Sequence, residues 1–433
     1  MKRIVLFFCA LTCLLACDKE ERGGGTTPET ATRSVMIYMA GENNLTATSG
    51  VRFLHNDLQE IIEGSKLLSD RQRLFVFVDS LNTAKVGSGT PVILEVHGGE
   101  ATVKYDFGHD FYSCDPAYFK KVMQWMTENA PAQGYGLVLW GHASGWSVST
   151  DTIASSEARA TRAYGQDDGK DMTEGSRKWM NITQLARALE SLPKLDFIFA
   201  DCCNMMCAEV GYELRNATSY LIGSPAEIPG DGAPYDQLVP LFYKNRSGLY
   251  SSIIDAYYDY YLADYKGDYD LDGFSVPLSV IDTQYMDALA QATHDVLDAF
   301  SGGYPYYPLS PSLTDLAYYF YFEAPVMYDM RAFIKSNTTD EVFQKWDETY
   351  RLAVPYYRMS LEWMTIYSNL EKSFSKFNQD ISQYGCVSMF IPLNIWNYYS
   401  GTFRFNHTYN NYGWNRAVDW SRYGWTSEST YVR

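Results

Sequence analysis

Short apolar runs recur through the first half of this chain, and each ends where glycine or polar residues begin: 33–39, 73–79, 135–139, 195–199 and 219–223. Continuous apolar runs of this length are what strands buried on both faces look like. Between them lie segments with helical patterning at 52–68, from Asp115-Pro116 to about Asn129, at 181–191 and at 205–215. Pro116 falls at an early helix position, where its missing N–H costs nothing. Residues 92–96 and 102–107 flank His97-Gly98-Gly99-Glu100 and predict a hairpin. Buried strands alternating with helices predict an α/β fold: a mainly parallel sheet with helices on both faces.

Two of these strands run into unusual segments. Trp140-Gly141-His142-Ala143-Ser144-Gly145-Trp146 follows the third, and Ala200-Asp201-Cys202-Cys203-Asn204-Met205 follows the fourth. Ligands of open α/β sheets collect just beyond the carboxyl ends of the strands. One histidine and one cysteine are therefore expected at the same rim, and a thiolate beside an imidazole is a nucleophile–base pair. Either residue alone reads as a packed core group. Their shared place directly after a strand, and the glycines around the histidine, favour a site.

The chain has 433 residues and a formal net charge of −17, with 46% hydrophobic and 20% charged residues. That composition is globular. The acidic balance argues against nucleic acid as a partner, because phosphates call for a basic footprint.

Lys2 and Arg3 precede an apolar stretch, 4–16, that is too short to span a bilayer. It ends in Leu14-Leu15-Ala16-Cys17, which resembles a bacterial lipobox. Residues 1–17 are read as a lipoprotein signal peptide that places lipid on Cys17, and 18–32 as a flexible tether. Asp18-Lys19-Glu20-Glu21 is similar to an acidic signal that carries some Gram-negative lipoproteins to the cell surface. The expected location is the bacterial outer membrane, lipid-anchored and surface-exposed, with the periplasmic face as the alternative.

Of eight cysteines, Cys114, Cys202, Cys203, Cys207 and Cys386 remain once the leader and Cys17 are set aside. An odd number leaves at least one unpaired thiol. Cys-x-x-Cys and His-Glu-x-x-His spacings are absent, so a zinc site lacks its usual signature. Residues 147–180 are polar and rich in Gly, Ser and Thr without a steady period, and are read as one long loop.

Residues 33–235 are assigned to the core. Residues 236–433 are assigned to a C-terminal α+β region that completes the sheet and packs on the core. Helices are expected there at 249–264, 283–300 and 340–353, and strands at 274–281 and 385–391. The aromatic stretches 304–330 and 394–425 are expected to be packing rather than a ligand surface.

These motifs together resemble the clostripain family of cysteine peptidases, relatives of caspases and gingipains. Residues 35–45, ending Gly41-Glu42-Asn43-Asn44-Leu45, are similar to the family's first strand and its acidic-Asn-Asn-Leu turn. Residues 140–146 are similar to Trp-Gly-His-Gly-Ser-Gly-Trp, and 201–205 to Asp-Ala-Cys-x-Met. Residues 224–235 and 387–392 resemble a later loop and strand. The histidine stands about 60 residues before the cysteine, near the caspase spacing of about 50.

The resemblance implies a caspase-like fold, Cys203 as nucleophile and His142 as general base and acid. Ala143 stands where the family has glycine, but its N–H and that of Cys203 can still donate to an oxyanion. Cys202 stands where the family has alanine. A third, orienting residue is not evident, and a dyad would suffice. Cleavage after Arg or Lys is implied, with Asp201 and Asp231 as acidic pocket residues. The partners are then peptides or proteins carrying a basic residue before the scissile bond. Self-cleavage in the 147–180 loop is implied too, at Arg159, Arg162, Lys170, Arg177 or Lys178. No cofactor is required; calcium stays open, because some family members depend on it. Asp268-Tyr269-Asp270-Leu271-Asp272-Gly273 mimics the start of an EF-hand loop but has Ser279 where the loop needs Glu. The competing reading is a catalytically silent lipoprotein that binds glycans or peptides, with its 36 Tyr and 10 Trp used for stacking.

Overall fold

The computed structural model describes residues 30–46, 52–81, 90–147, 163–169, 177–264, 276–300, 313, 316–322, 324–360, 362–366, 372–376, 381–393, 396, 405–410 and 412–420. Cys17, Arg159, Arg162, Lys170 and the acidic turn 268–273 lie outside the described residues.

The first half of the chain alternates as its pattern predicts. In order it forms β1 (Arg33–Gly41), α1 (Phe53–Gly64), β2 (Gln72–Ser80), the hairpin β3 (Val92–His97) and β4 (Glu100–Asp106), α2 (Pro116–Asn129), β5 (Tyr135–Trp140), the short β6 (Tyr164–Asp167) and β7 (Lys178–Met180), α3 (Ile182–Leu189), β8 (Leu195–Asp201), α4 (Ala208–Glu213) and β9 (Thr218–Gly223). The second half adds α5 (Tyr235–Leu238), α6 (Arg246–Asp264), β10 (Leu278–Asp282), α7 (Met286–Phe300), β11 (Tyr318–Phe322), β12 (Ala324–Asp329), α8 (Met330–Asn337), α9 (Asp340–Ala353), β13 (Tyr356–Arg358), the hairpin β14 (Glu362–Ile366) and β15 (Lys372–Lys376), and β16 (Ser388–Phe390).

A nine-stranded sheet runs in the order β13-β10-β9-β8-β5-β1-β2-β3-β4. Strands β9, β8, β5, β1 and β2 are parallel, and the antiparallel strands are confined to the two edges. Side chains of β1 alternate between two cores: Met36, Tyr38 and Ala40 enter one with α2, α3 and α4, while Val35, Ile37 and Met39 enter the other with α1, α5 and α6. That period of two, with apolar residues on both faces, is why the strand reads as an unbroken run.

Local chemistry sets the ends. Helix α2 begins at Asp115, whose carboxylate accepts the Ala117 N–H at 2.8 Å. The helix expected over 205–215 is shorter than its pattern. Met206 N–H donates to Ser224 O, and Met206 O accepts from Ser388 N–H, so the segment pairs like a strand and the helix starts at Ala208.

The 147–180 region differs from one long loop. Its described ends form an antiparallel ribbon, β6 against β7, fully buried along β6. Arg177 pairs with Asp168 at 2.7 Å and Lys178 lies in β7, so neither is on a free loop tip. Among the described aromatics of the C-terminal stretches, Tyr319, Trp396, Tyr412, Trp414 and Trp420 are buried. They serve packing, and Tyr412 hydroxyl donates to Trp146 O at 2.5 Å, anchoring the loop after β5.

Candidate active site

Strands β5 and β8 are neighbours in parallel register, Trp140 opposite Asp201. Their C-terminal loops therefore leave the sheet side by side, which brings His142 and Cys203 to one place. Gly145 has φ +60°, and a Cβ there would lie 2.4 Å from Asn204 O. The glycine serves close packing of the two loops on each other. Asn204, the residue after the cysteine, is itself left-handed at φ 60°.

His142 and Cys203 line a single cavity of about 190 Å³, together with Ala143, Trp179, Asp201, Glu227, Gly232 and Met364. Cys203 is half-buried, whereas Cys202 is 1% exposed and outside the lining. Burial pushes the Cys202 thiol well above its ordinary value. The two adjacent thiols are thus split in the turn that follows β8, one into the core and one into the cavity.

His142 Nε2 lies 2.6 Å from Asn44 Oδ1. A ring N–H donated to that oxygen fixes the tautomer and leaves Nδ1 as the proton-accepting nitrogen. No orienting residue is evident from the motifs alone, and Asn44 stands in that position. It belongs to the Glu42–Thr46 turn at the end of β1, and β1 pairs directly with β5, Met39 opposite Trp140. Strand adjacency was the signal that could have found it. The histidine loop is held from the other side by β6: Gly165 N–H donates to His142 O at 2.9 Å, and Ser144 N–H to Ala163 O at 2.8 Å. This ladder uses the amides on either side of Ala143 and leaves that of Ala143 itself out.

Asp201, 3% exposed, closes the base of the cavity. Its Oδ2 accepts from Tyr235 hydroxyl at 2.8 Å and Ala233 N–H at 3.2 Å, and its Oδ1 from Tyr257 hydroxyl at 3.1 Å. Burial raises its pKa and these three donors pull it back, to about 6. Asp231 is exposed on the turn between Gly230 and Gly232; those two glycines line the cavity and Asp231 does not.

Asp57 of α1 was not singled out in the sequence. It is 1% exposed and accepts from Trp140 Nε1 at 2.6 Å. Burial, with the Asp201 charge next, pushes it up to about 9. Gly232, at φ +65°, is the wedge between the two acids: a Cβ there would sit 3.0 Å from Asp57 Oδ2 and 3.2 Å from Asp201 Oδ2. A helical acid facing a turn from a distant segment carries no local sequence mark. Among the described residues, the one group with metal-ligating proximity is Glu42, Asp79 and Asp110, and it contains neither His142 nor Cys203.

A parallel-centred α/β sheet that presents a half-buried cysteine and an amide-held histidine at its carboxyl edge defines a class, the caspase-like cysteine peptidases. The match of residues 37–425 to the clostripain family places the chain in that family, and it is a cysteine protease, a hydrolase. A secreted C11 cysteine protease from Bacteroides thetaiotaomicron, solved with an irreversible peptide inhibitor, is 27% identical, with a TM-score of 0.73 over 90% of this chain and 99% of its own. An inactive zymogen C11 protease from Parabacteroides distasonis is similar in fold, at 23% identity and a TM-score of 0.68, over 91% of this chain and 99% of its own. No curated protein matches the chain. Among the described residues, no helix is long and apolar enough to cross a membrane.

Proposed function

We propose that the protein is an endopeptidase that cleaves after Arg or Lys, with Cys203 as nucleophile and His142 as base. The observation that carries this reading is one cavity holding a half-buried thiol, an oriented imidazole and a buried carboxylate at its base. His142 Nδ1 takes the Cys203 proton, and the thiolate attacks the scissile carbonyl carbon. The oxyanion that forms is met by the N–H groups of Ala143 and Cys203. As the C–N bond breaks, the imidazolium gives its proton to the leaving amine. Water, deprotonated by His142, then attacks the thioester, releases the acid product and regenerates the thiol. Asp201 receives the guest cation: three of its roughly four lone-pair directions are occupied, leaving one for a charge-assisted bond. Asp231, at the rim, adds field rather than contact.

Intact mass after incubation with an arginyl chloromethylketone tests the reading. One adduct is expected on wild type and on Cys202→Ala, and none on Cys203→Ala. An adduct that persists in Cys203→Ala would assign the reactivity elsewhere.

The same proposal includes a lipid anchor at Cys17, supported by its lipobox-like context, which Cys17→Ala should release from the membrane fraction. It also includes self-cleavage between His142 and Cys203. The tethered positions of Arg177 and Lys178 favour Arg159, Arg162 or Lys170 as the cut. Two fragments of wild type beside one intact band of Cys203→Ala on a denaturing gel is the expected pattern.

A further inference from the structure

The turn that follows β9 brings a further acid to the cavity. Glu227 lines it together with His142, Asp201 and Cys203, and among the described lining residues Glu227 and Asp201 are the two carboxyl side chains. Asp231, further along the same turn, is not in the lining. The Glu227 segment is strung between the cysteine turn and β14. Met206 N–H donates to Ser224 O at 3.0 Å and Asn204 N–H to Ala226 O at 2.9 Å, so the residue after Cys203 holds the residue before Glu227. The Ala226 N–H is turned back on Ser224 Oγ at 3.1 Å. On the other side Glu227 pairs across an antiparallel bridge with Met364. Ser224 and Ala226 are fully buried, and Glu227 is 9% exposed. An acid on a segment fixed this way is in place before a guest arrives, which lowers the cost of binding.

Asp201 does not serve the two basic guests equally. Two tyrosine hydroxyls and a backbone N–H leave it about one lone-pair direction for a guest. A lysine ammonium is a compact charge whose three donors rotate, and one carboxylate bond suits it. An arginine guanidinium carries five donors in a rigid planar fork whose edges point in different directions. A single acceptor leaves most of those donors to whatever else lines the cavity. Nearby carbonyls are already in use: Gly232 O accepts from Tyr261 hydroxyl at 2.7 Å, and Pro229 O from Gly232 N–H at 3.1 Å.

We propose that Glu227 is the second acceptor for the guest cation and that it selects arginine over lysine. Asp201 takes one edge of the guanidinium and Glu227 another, so two charge-assisted bonds form in place of one. Loss of the Glu227 charge then strands donors of arginine and costs lysine little. This role rests on the reading that the cavity cleaves after a basic residue.

Two fluorogenic peptides that differ only in Arg or Lys before the scissile bond are compared at pH 8, where Asp201 is ionised. Wild type should cleave the Arg peptide with the higher kcat/KM. Glu227→Gln should lower kcat/KM for Arg by about 10–100-fold, the worth of a hydrogen bond to a charged group, and for Lys by about threefold at most. The loss on Arg should appear mainly in KM, because the bond is made in the ground state and the transition state alike. Glu227→Asp keeps the charge, drawn back by one methylene, and should fall between wild type and Glu227→Gln; it takes the place of that variant should it not fold. Asp231→Asn should leave the Arg-to-Lys ratio where it is, since an exposed charge is screened. Alkylation of Cys203 by iodoacetamide should proceed in Glu227→Gln at the wild-type rate, which separates guest recognition from damage to the cysteine turn. Equal losses on Arg and Lys, a slowed alkylation that matches the loss, or a ratio that moves with Asp231→Asn instead would overturn the role of Glu227. Equal wild-type kcat/KM on the two peptides would overturn the selection alone. A wild type that cuts neither peptide would overturn cleavage after basic residues, and this role with it.

Discussion

Two groups of buried acids sit at the same edge of the same sheet and are treated in opposite ways. Asp201, with Asp57 behind it, lies on the α1 face and is given donors: two tyrosine hydroxyls and a backbone N–H reach Asp201, and an indole N–H reaches Asp57. Glu42 and Asp79 lie towards the α2 face, where Asp79 Oδ2 is buried without a hydrogen-bond partner and burial, with Asp167 next, pushes both carboxyls up, Glu42 to about 9. Strand alternation alone decides the face: Phe197 and Phe199 precede Asp201 on one side, and Phe77 precedes Asp79 on the other. Donors that stabilise a carboxylate make it available as an anion near neutral pH, suited to a guest that comes and goes. Acids buried against each other are instead held protonated near neutral pH, and so are not available as anions.

The largest test of that contrast is activity. Asp201→Asn should lower kcat/KM for Arg and Lys substrates on the order of 10²–10³-fold, because the guest cation would be buried without its counter-charge. Asp57→Asn should cost far less at pH 7. Asp57 titrates at about 9 and is already neutral there, and the amide oxygen can still accept from Trp140. Kinetics on short Arg substrates decide it, and equal losses from the two variants would merge the acids into one functional pair.

Thermal stability gives the next largest effect, with opposite signs. Asp79→Asn removes a carboxyl that burial forces to take up a proton on folding, a cost at neutral pH, and should raise Tm. Asp201→Asn turns an amide N–H towards the Ala233 N–H or a tyrosine hydroxyl and should lower stability by about 1–3 kcal/mol. Shifts in the same direction would erase the distinction between the two clusters.

The strands around these acids were legible because each buries both faces and so reads as an apolar run. The motifs at their ends pointed to His142, Cys203 and Asp201, and strand order plus a carboxyl-end rule says why these three line one cavity. What stayed hidden depends on pairing between distant segments. Asn44 reaches His142 only because β1 neighbours β5, and Asp57 meets Asp201 only because α1 packs beside the Gly232 turn. The cavity walls Trp179 and Met364 come from β7 and β14, short strands whose pairing needs partners that a period count cannot supply. Polar composition made 147–180 look unstructured, although Tyr164 to Asp167 are buried.

The smallest expected effect is a shift in a pH profile. Folding raises Asp201 from 3.8 to about 6, so folding favours its protonated form. The stability this confers is fully present below pH 3.8 and is lost as pH rises through 6. Binding runs the other way, since only the carboxylate pairs with a guest cation. In the free enzyme, kcat/KM for Arg substrates should therefore climb with pH through an ionisation near 6. Tyr257→Phe deletes the 3.1 Å hydroxyl donor to Asp201 Oδ1 and leaves the other two in place. With one fewer donor to the charged form, the Asp201 pKa should rise, by about one unit at most for a single hydrogen bond to an ionised group. The acidic limb for Arg substrates should move to higher pH accordingly, with kcat/KM little changed at pH 8, where the carboxylate is ionised in both proteins. An unmoved limb would mean that the profile reports His142 or Cys203 rather than Asp201, and the satisfied cluster would lose its role in setting when the cavity accepts a cation.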